Sequence, residues 1–266
     1  MDFEETLLTS FEALTLNKTR TALAVLGIVI GVGAVIALMT LGQGSQKAVS
    51  SQIQTLGSNL LTVSPGAQTA GGVRGQAGGM TTLTYEDAKA IIASPQITSV
   101  EAVSAELARN AQVVAGRGNT NTRVTGVMPA FSQIKKIEVE SGVFISQHDL
   151  DSQTKVAVLG PQVVIDLFGE GANPVGESIR IDKISFRVVG VTKPKGGTGF
   201  MSQDDIVYIP LTTAQRQVFG QDHVGSISLA AKSEDLMYQA KNEVGYFLLA
   251  RHNFSDPTQA DFSISS

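Results

Sequence analysis

Residues Ala22–Leu41 read ALAVLGIVIGVGAVIALMTL, and this stretch decides what kind of protein the chain is. It holds twelve residues from Leu, Ile, Val and Met, four Ala, three Gly and one Thr, and no charge occurs between Thr21 and Gln46. Twenty helical residues at ~1.5 Å each cover ~30 Å, the thickness of a bilayer's hydrocarbon core. At roughly −0.3 to −0.6 kcal/mol per large apolar residue, the twelve contribute on the order of −4 to −7 kcal/mol to insertion, and no buried charge opposes them. Residues 21–42 therefore read as a transmembrane helix. A cleaved signal peptide fits less well: the start is acidic (Asp2, Glu4, Glu5) and the apolar run begins only after twenty residues. It is also longer than the ~7–15 residues of a signal sequence.

Lys18 and Arg20 precede the span and only Lys47 follows it closely. The positive-inside rule then places the N-terminus in the cytoplasm and everything after Lys47 outside it. On the span, Ala24, Gly27, Gly31 and Ala34 share one helical face, a small-residue stripe that lets a second membrane helix pack closely. Upstream, residues 1–20 read as a cytoplasmic amphipathic helix. Phe3, Leu7, Phe11 and Leu14 share one face with Leu8 beside them, and Glu5 and Glu12 lie opposite, so the helix rests on membrane lipid or a cytoplasmic partner.

The totals exclude several classes. Twenty basic against twenty-four acidic residues leave no basic surplus for a phosphate backbone, so no nucleic acid is expected as a partner. The absence of cysteine removes disulfides, thiol catalysis and cysteine-ligated metals. The net charge of −4 divides evenly, −2 before the span (2 − 4) and −2 after it (18 − 20).

Residues 43–57 carry Val49, Ile53 and Leu56 at helical spacing and extend the membrane helix as a stalk, ended by Gly57. Asn59–Val63 reads as a strand closed by Pro65-Gly66. Residues 66–79 contain six glycines in fourteen and read as a flexible loop, because no Gly-Lys-Ser/Thr follows to make it a phosphate cradle. Thr84 opens a helix to Ala93, with Asp87 three residues on and Pro95 closing it. Strands follow at Ile97–Leu107, Ala111–Ala115 and Thr122–Val127, with turn chemistry at Gly116, Gly118 and Asn119. Val156–Leu159 is a strand, and a helix runs from Pro161 to the stop at Gly169. Ser178–Ile181 and Ser185–Val191 form a hairpin about Asp182-Lys183. Ile206–Ile209 is a strand before a helix near Thr212–Phe219, and the rest reads strand (Ser226–Ala231), helix (Glu234–Arg251), strand (Asp261–Ser265). The fold class is α+β: one α+β part from residues 58–110 and 216–266, with a β-rich part, 111–215, inserted.

Nothing in this pattern carries catalysis. His148, His223 and His252 show no metal-ligand spacing and read as surface or structural residues. Ser132–Lys135 and Ser152–Lys155 match Ser-x-x-Lys by form only, without the companion elements of that chemistry. Asp149-Asp151 and Asp204-Asp205 read as solvated turn carboxylates. No nucleotide-binding loop is present, so no cofactor, metal or catalytic residue is expected.

Ordered blocks over nearly the whole chain carry a resemblance. They are Asn17–Leu23 (NKTRTAL), Leu26–Ala37 (LGIVIGVGAVIA), Leu41–Gln46 (LGQGSQ), Leu56–Gly66 (LGSNLLTVSPG), Leu83–Ala88 (LTYEDA), Val124–Val127 (VTGV) and Ser141–Ser146 (SGVFIS). Val156–Gly160 (VAVLG), Leu167–Gly169 (LFG), Asn173–Glu177 (NPVGE), Phe186–Val191 (FRVVGV) and Tyr208–Leu211 (YIPL) continue them. The sequence resembles the permease subunits of MacB-type ABC transporters, and more distantly FtsX and LolC/LolE. The resemblance implies an efflux or export permease that pairs with a second permease copy and is driven by a separate ABC ATPase subunit. It implies a MacA-like periplasmic adaptor and, in two-membrane bacteria, an outer-membrane channel as further partners. In such permeases the periplasmic core domain, here 58–266, moves as the stalks move, a mechanotransmission role. They continue past a sequence like Asp261–Ser265 into three more membrane helices, so the chain is expected to be the front portion of a longer permease. The other reading is a single-pass scaffold that recruits an adaptor or cell-wall enzyme.

Overall fold

The computed structural model describes residues 18–56, 59–66, 82–196 and 203–266. They fall into two units, divided between Thr55 and Leu56. The first contains one 39-residue helix, α1 (Lys18–Leu56), ~58 Å long at ~1.5 Å per residue. Residues 21–42 and 43–56, expected as membrane helix and stalk, are thus one continuous helix; the expected stop at Gly57, the side chains of residues 43–56 and the glycine-rich stretch after Gly66 lie outside the described residues.

The second unit is built on one ten-stranded mixed sheet in the order β10-β1-β9-β2-β3-β8-β5-β7-β4, with β6 joining β7 to β2. The strands are β1 (Leu60–Pro65), β2 (Val100–Ala115), β3 (Gly118–Val127), β4 (Val139–Gly142), β5 (Val156–Leu159), β6 (Ser178–Ile181), β7 (Ile184–Thr192), β8 (Ile206–Pro210), β9 (Ser226–Ala231) and β10 (Phe262–Ser265). β3–β8 and β5–β7 run parallel and the other neighbours antiparallel. The helices are α2 (Tyr85–Ala93), α3 (Phe131–Ile134), α4 (Gln147–Asp151), α5 (Pro161–Phe168), α6 (Leu211–Thr213) and α7 (Met237–Arg251).

β2 organises both halves of the sheet. Its first part, Val100–Glu106, pairs with β9, and Glu106–Ala115 pairs with β3. Near its end, Val113 and Val114 meet Ile181 and Arg180 of β6. That last contact closes β2-β3-β8-β5-β7-β6 into a ring, which removes the open edges those strands would otherwise present. Val113, Val124, Leu159, Ile179, Phe186 and Ile209 fill the ring, joined by Val163, Val164 and Leu167 of α5. Outside the ring, β10-β1-β9-β2 form a four-stranded antiparallel sheet. One face of it buries Leu61, Val63, Leu229 and Val103 against Ile91 of α2 and Val244 and Leu248 of α7. A third cluster, Val127, Phe131, Ile145, Val158 and Tyr208, lies apart from both.

Several expected elements sit where local chemistry placed them. α2 carries a complete capping box: Thr84 accepts from the Asp87 amide, and Asp87 accepts from the Thr84 amide. α5 begins on Pro161 and stops at Gly169 with φ +91°. The β6–β7 turn falls on Asp182 and Lys183, both at positive φ.

Other expectations are corrected. The expected strands Ile97–Leu107 and Ala111–Ala115 are one strand that starts only at Val100, because Ala108, Arg109 and Asn110, although exposed, still pair with Thr125, Val124 and Arg123 through the backbone ladder. The hairpin turn is only Gly116 and Arg117; Gly118 and Asn119 already belong to β3. The helix near Thr212–Phe219 is a single α-turn followed by a π-helix over Ala214–Phe219. The C-terminal helix opens with a 3₁₀ turn, Glu234–Leu236, before α7. Asp149 is not a merely solvated turn residue, since it completes a second capping box with Ser146 and accepts from Thr154.

Two close constraints give testable consequences. Gly142 sits at φ +80°, and a Cβ there would collide with the Val189 carbonyl oxygen. Gly142→Ala is expected to lower stability by about 1–3 kcal/mol, read from the denaturation midpoint. Glu243 of α7 accepts from the amides and hydroxyls of Thr98 and Ser99 at 2.6–3.1 Å and from Gln239 at 2.7 Å. Desolvation opposes ionisation, but the bonds from Ser99, Gln239 and Thr98 prevail and bring Glu243 down from 4.5 to about 2. A carboxylate lowered on folding stabilises the fold above its ordinary pKa and loses that contribution as pH falls toward the folded value. Wild-type stability should therefore drop between pH 4.5 and about 2, and Glu243→Gln should flatten that part of the acid denaturation curve.

Candidate functional site

The helix α1 presents apolar side chains on every side. Leu23, Ile28, Ile30, Ile36 and Leu38 are each more than half exposed, and no part of the most apolar window within Thr21–Thr40, with mean hydropathy 2.8, is buried. A helix apolar all round requires an apolar surrounding, and this one is long and apolar enough to cross a membrane. On the small-residue face, a Cβ added at Gly27 or Gly31 meets nothing within 4 Å, and Ala34 is exposed. The side chain of Ala24 and the upstream face of Phe3, Leu7, Phe11 and Leu14 lie outside the described residues.

The edge strand β10 and its neighbour β1 bring the two ends of the domain together. β1 and β10 are antiparallel neighbours, with Thr62 opposite Ser265 and Pro65 opposite Phe262. The chain therefore enters along β1 and leaves along β10 at the same end of the strand pair. At the opposite end a polar network gathers. The Asp261 carbonyl accepts from the Gly66 amide and from the Thr82 hydroxyl, both at 2.8 Å. The Asp261 carboxylate lies 2.8 Å from His252 Nδ1, and His252 Nε2 lies 3.5 Å from Asp87 Oδ2. Arg251 Nε donates to Asp87 Oδ1 at 2.6 Å. Burial pushes the Asp87 carboxyl up, but the bonds from Arg251 and Thr84 and the charge of His252 outweigh it and hold the group below the usual carboxylate range. His252 is thus the structural histidine of the three, its ring edge-on to Phe262.

Between α2 and the α6–π-helix segment lies a cleft of about 680 Å³. Tyr85, Lys89 and Ile92 line it from α2, Leu150 from α4, and Gln215 and Arg216 from the π-helix. The Lys89 ammonium stands over the Tyr85 ring at 4.9 Å and pairs with Glu86 at 2.6 Å. Gln215 is buried and donates to the carbonyls of Asp222 and His223, which holds the following loop in place. His223 in turn bridges to Thr84, and the Val224 amide donates to the Leu83 carbonyl, so this wall is fastened to the start of α2.

The formal chemical motifs have local roles. The Ser132 hydroxyl donates to the Pro129 carbonyl, and Ser152 contacts the His148 ring at 3.4 Å. Asp204 accepts from the amides of Lys195 and Gly196. Among the described residues no three His, Asp or Glu side chains converge as metal ligands. Sequence reasoning missed α3, β4 and α4. The spacing Ser146-Gln-His-Asp149 was the available signal for α4, while the joining of Asp87, His252 and Asp261 across distant positions left no local trace.

Comparison with known proteins places this architecture. Curated relatives named "Macrolide export ATP-binding/permease protein MacB" match almost the whole chain. The protein from Bdellovibrio bacteriovorus is 34% identical over 251 residues, 94% of this chain and 38% of the relative. The one from Azoarcus sp. (strain BH72) is 38% identical over 259 residues, 96% of this chain and 38% of the relative. The chain thus spans under two fifths of the length of these relatives. Among solved structures, the periplasmic region of MacB from Actinobacillus actinomycetemcomitans has a similar fold, with a TM-score of 0.67 at 20% identity over 80% of this chain and 91% of that one. The extracellular domain of the noncanonic ABC-type transporter YknZ from Gram-positive bacteria follows, at 0.62 and 17% identity, covering 78% of this chain and all of that one. The family described as the MacB-like periplasmic core domain matches residues 21–245, and the chain belongs to that family.

Proposed function

We propose that the chain is the front portion of a permease subunit of a MacB-type ABC transporter, and that it passes ATPase-driven motion through the membrane to a periplasmic domain for export or efflux. The observation that carries this reading is the family match running from the apolar helix into the domain without a break. The side-by-side position of β1 and β10 supports it, because a domain whose two ends lie together is suited to insertion between membrane helices. In this reading the N-terminus is cytoplasmic, with Lys18 and Arg20 on that side, residues 1–20 lie along the membrane and 43–57 form the stalk. Residues 58–110 and 216–266 form a porter-like part and 111–215 a β-rich part, with β2 shared between them. The two apolar clusters, one taking Val103, Ala105 and Leu107 of β2 and the other Ala111, Val113 and Ala115, support that division, while Met128, Leu150 and Leu211 of the β-rich part join the first.

The partners in this reading are a separate ABC ATPase subunit, a second permease copy packed at Ala24, Gly27, Gly31 and Ala34, and a MacA-like adaptor, with an outer-membrane channel in two-membrane bacteria. Further membrane helices follow the domain, in this polypeptide or in a companion. ATP hydrolysis belongs to the ATPase subunit, and this chain is not itself an enzyme.

Affinity purification from the native membrane tests the reading: a P-loop ATPase should co-purify with the chain. Recovery of an adaptor or cell-wall hydrolase without any ATPase would favour a scaffold instead. Two substitutions test the helix. Ile30→Arg should remove about 2.5–3.5 kcal/mol of insertion energy and shift the chain measurably out of the membrane fraction. Gly27→Leu with Gly31→Leu should leave insertion intact and weaken cross-linking between copies.

A further inference from the structure

A polar network at the far end of β1 and β10 ties these two strands to α2 and to the end of α7. Asp261 opens the outgoing strand. Its carbonyl holds Gly66 at the end of the incoming strand and Thr82 on the approach to α2. Its carboxylate holds the His252 ring at 2.8 Å. The other ring nitrogen of His252 faces Asp87, the third residue of α2, which is bonded to both groups of Thr84 and to Arg251. Asp87 and Asp261 therefore share one imidazole. Its side chain is 11% exposed, and those of the two carboxylates 6% and 19%. A histidine ring is rigid and its two nitrogens are fixed relative to each other, so a shift of one carboxylate re-aims the ring at the other. Thr84 and Tyr85, at the start of α2, line the cleft, and Thr84 bridges to His223, the neighbour of the lining residue Asp222.

We propose that His252 is a positioning residue that couples the strand pair β1–β10 to the first turn of α2, so that movement arriving along the two strands reaches the wall of the cleft. The inference rests on the permease reading for the origin of that movement, but the coupling is a property of the domain and is measured without an ATPase. The strands are suited to carrying it. Each is stiffened by its ladder, β1 on both sides, and each has one end at the chain's way in or out and the other at the network.

Hydrogen exchange on the full chain in detergent tests it. The Asp261 carboxylate bonds to His252, yet Asp261→Asn should speed amide exchange in Tyr85–Ile91 and at Val224 by about tenfold, leaving Val188 and Val207 inside the ring unchanged. His252→Gln should produce the same pattern, and the double variant should add nothing further, because the two changes break one path. An increase confined to β1 and β10 in Asp261→Asn would overturn the proposal. An equal increase across the ring would also overturn it, by assigning the network a global stabilising role. An ATPase that fails to co-purify would leave these results standing, and a failed exchange result would leave the permease reading standing.

Discussion

One sixteen-residue strand, β2, carries the domain. At ~3.3 Å per residue it runs roughly 50 Å, far longer than the 17–20 Å typical of strands in small domains. Its length follows from backbone satisfaction. Both edges of a buried strand must find partners, and β2 finds β9 and then β6 along one edge while β3 occupies much of the other. The change of partner along a single strand permits two hydrophobic clusters to form on one continuous ladder. The buried set on one side closes around Phe186 and Ile179, and on the other it is covered by α2 and α7.

Carboxylates fix the helices to this ladder. Asp87 holds the start of α2, Asp149 the start of α4, and Glu243 joins the middle of α7 to Thr98 and Ser99 just before β2. Each accepts from backbone amides, which ties it to chain direction and not merely to a neighbouring charge. Surface ion pairs such as Lys193 with Glu138 join exposed side chains in high dielectric and contribute little. Specific placement of the helices thus depends on a few charge-assisted bonds with several donors each, for which removal leaves multiple groups unpaired.

Legibility in the sequence follows the range of the interaction. The apolar helix, the Thr84–Asp87 box, Pro161, Gly169 and the Asp182-Lys183 turn are written in residues a few positions apart, and all are legible there. The continuity of β2 is not, because Arg109 and Asn110 break the apolar alternation while the backbone ladder, which no side chain reports, continues. The π-helix escapes for a similar reason: its residues AQRQVF have ordinary helical preference, and its wider turn coincides with Gln215 reaching Asp222 and His223. The network of Asp87, His252 and Asp261 spans 174 residues of sequence (261 − 87) and emerges only once β10 is paired with β1.

The same ladder also sets where the domain is weakest. Closure of the ring rests on two residue pairs between β2 and β6, steadied by the Asp182 turn, whose amide donates to the Gln112 carbonyl. Among the described residues, the buried hydroxyls of Thr122 and Thr125 on β3 and the Asp205 Oδ1 just before β8 find no hydrogen-bond partner, a local penalty in this part of the sheet. The four-stranded part has no comparable seam: β1 is paired along both edges, and β9 is gripped by β1 and β2. Stability is therefore unevenly distributed, with firm pairing where the chain enters and leaves and the sparser contacts at the closing edge of the ring.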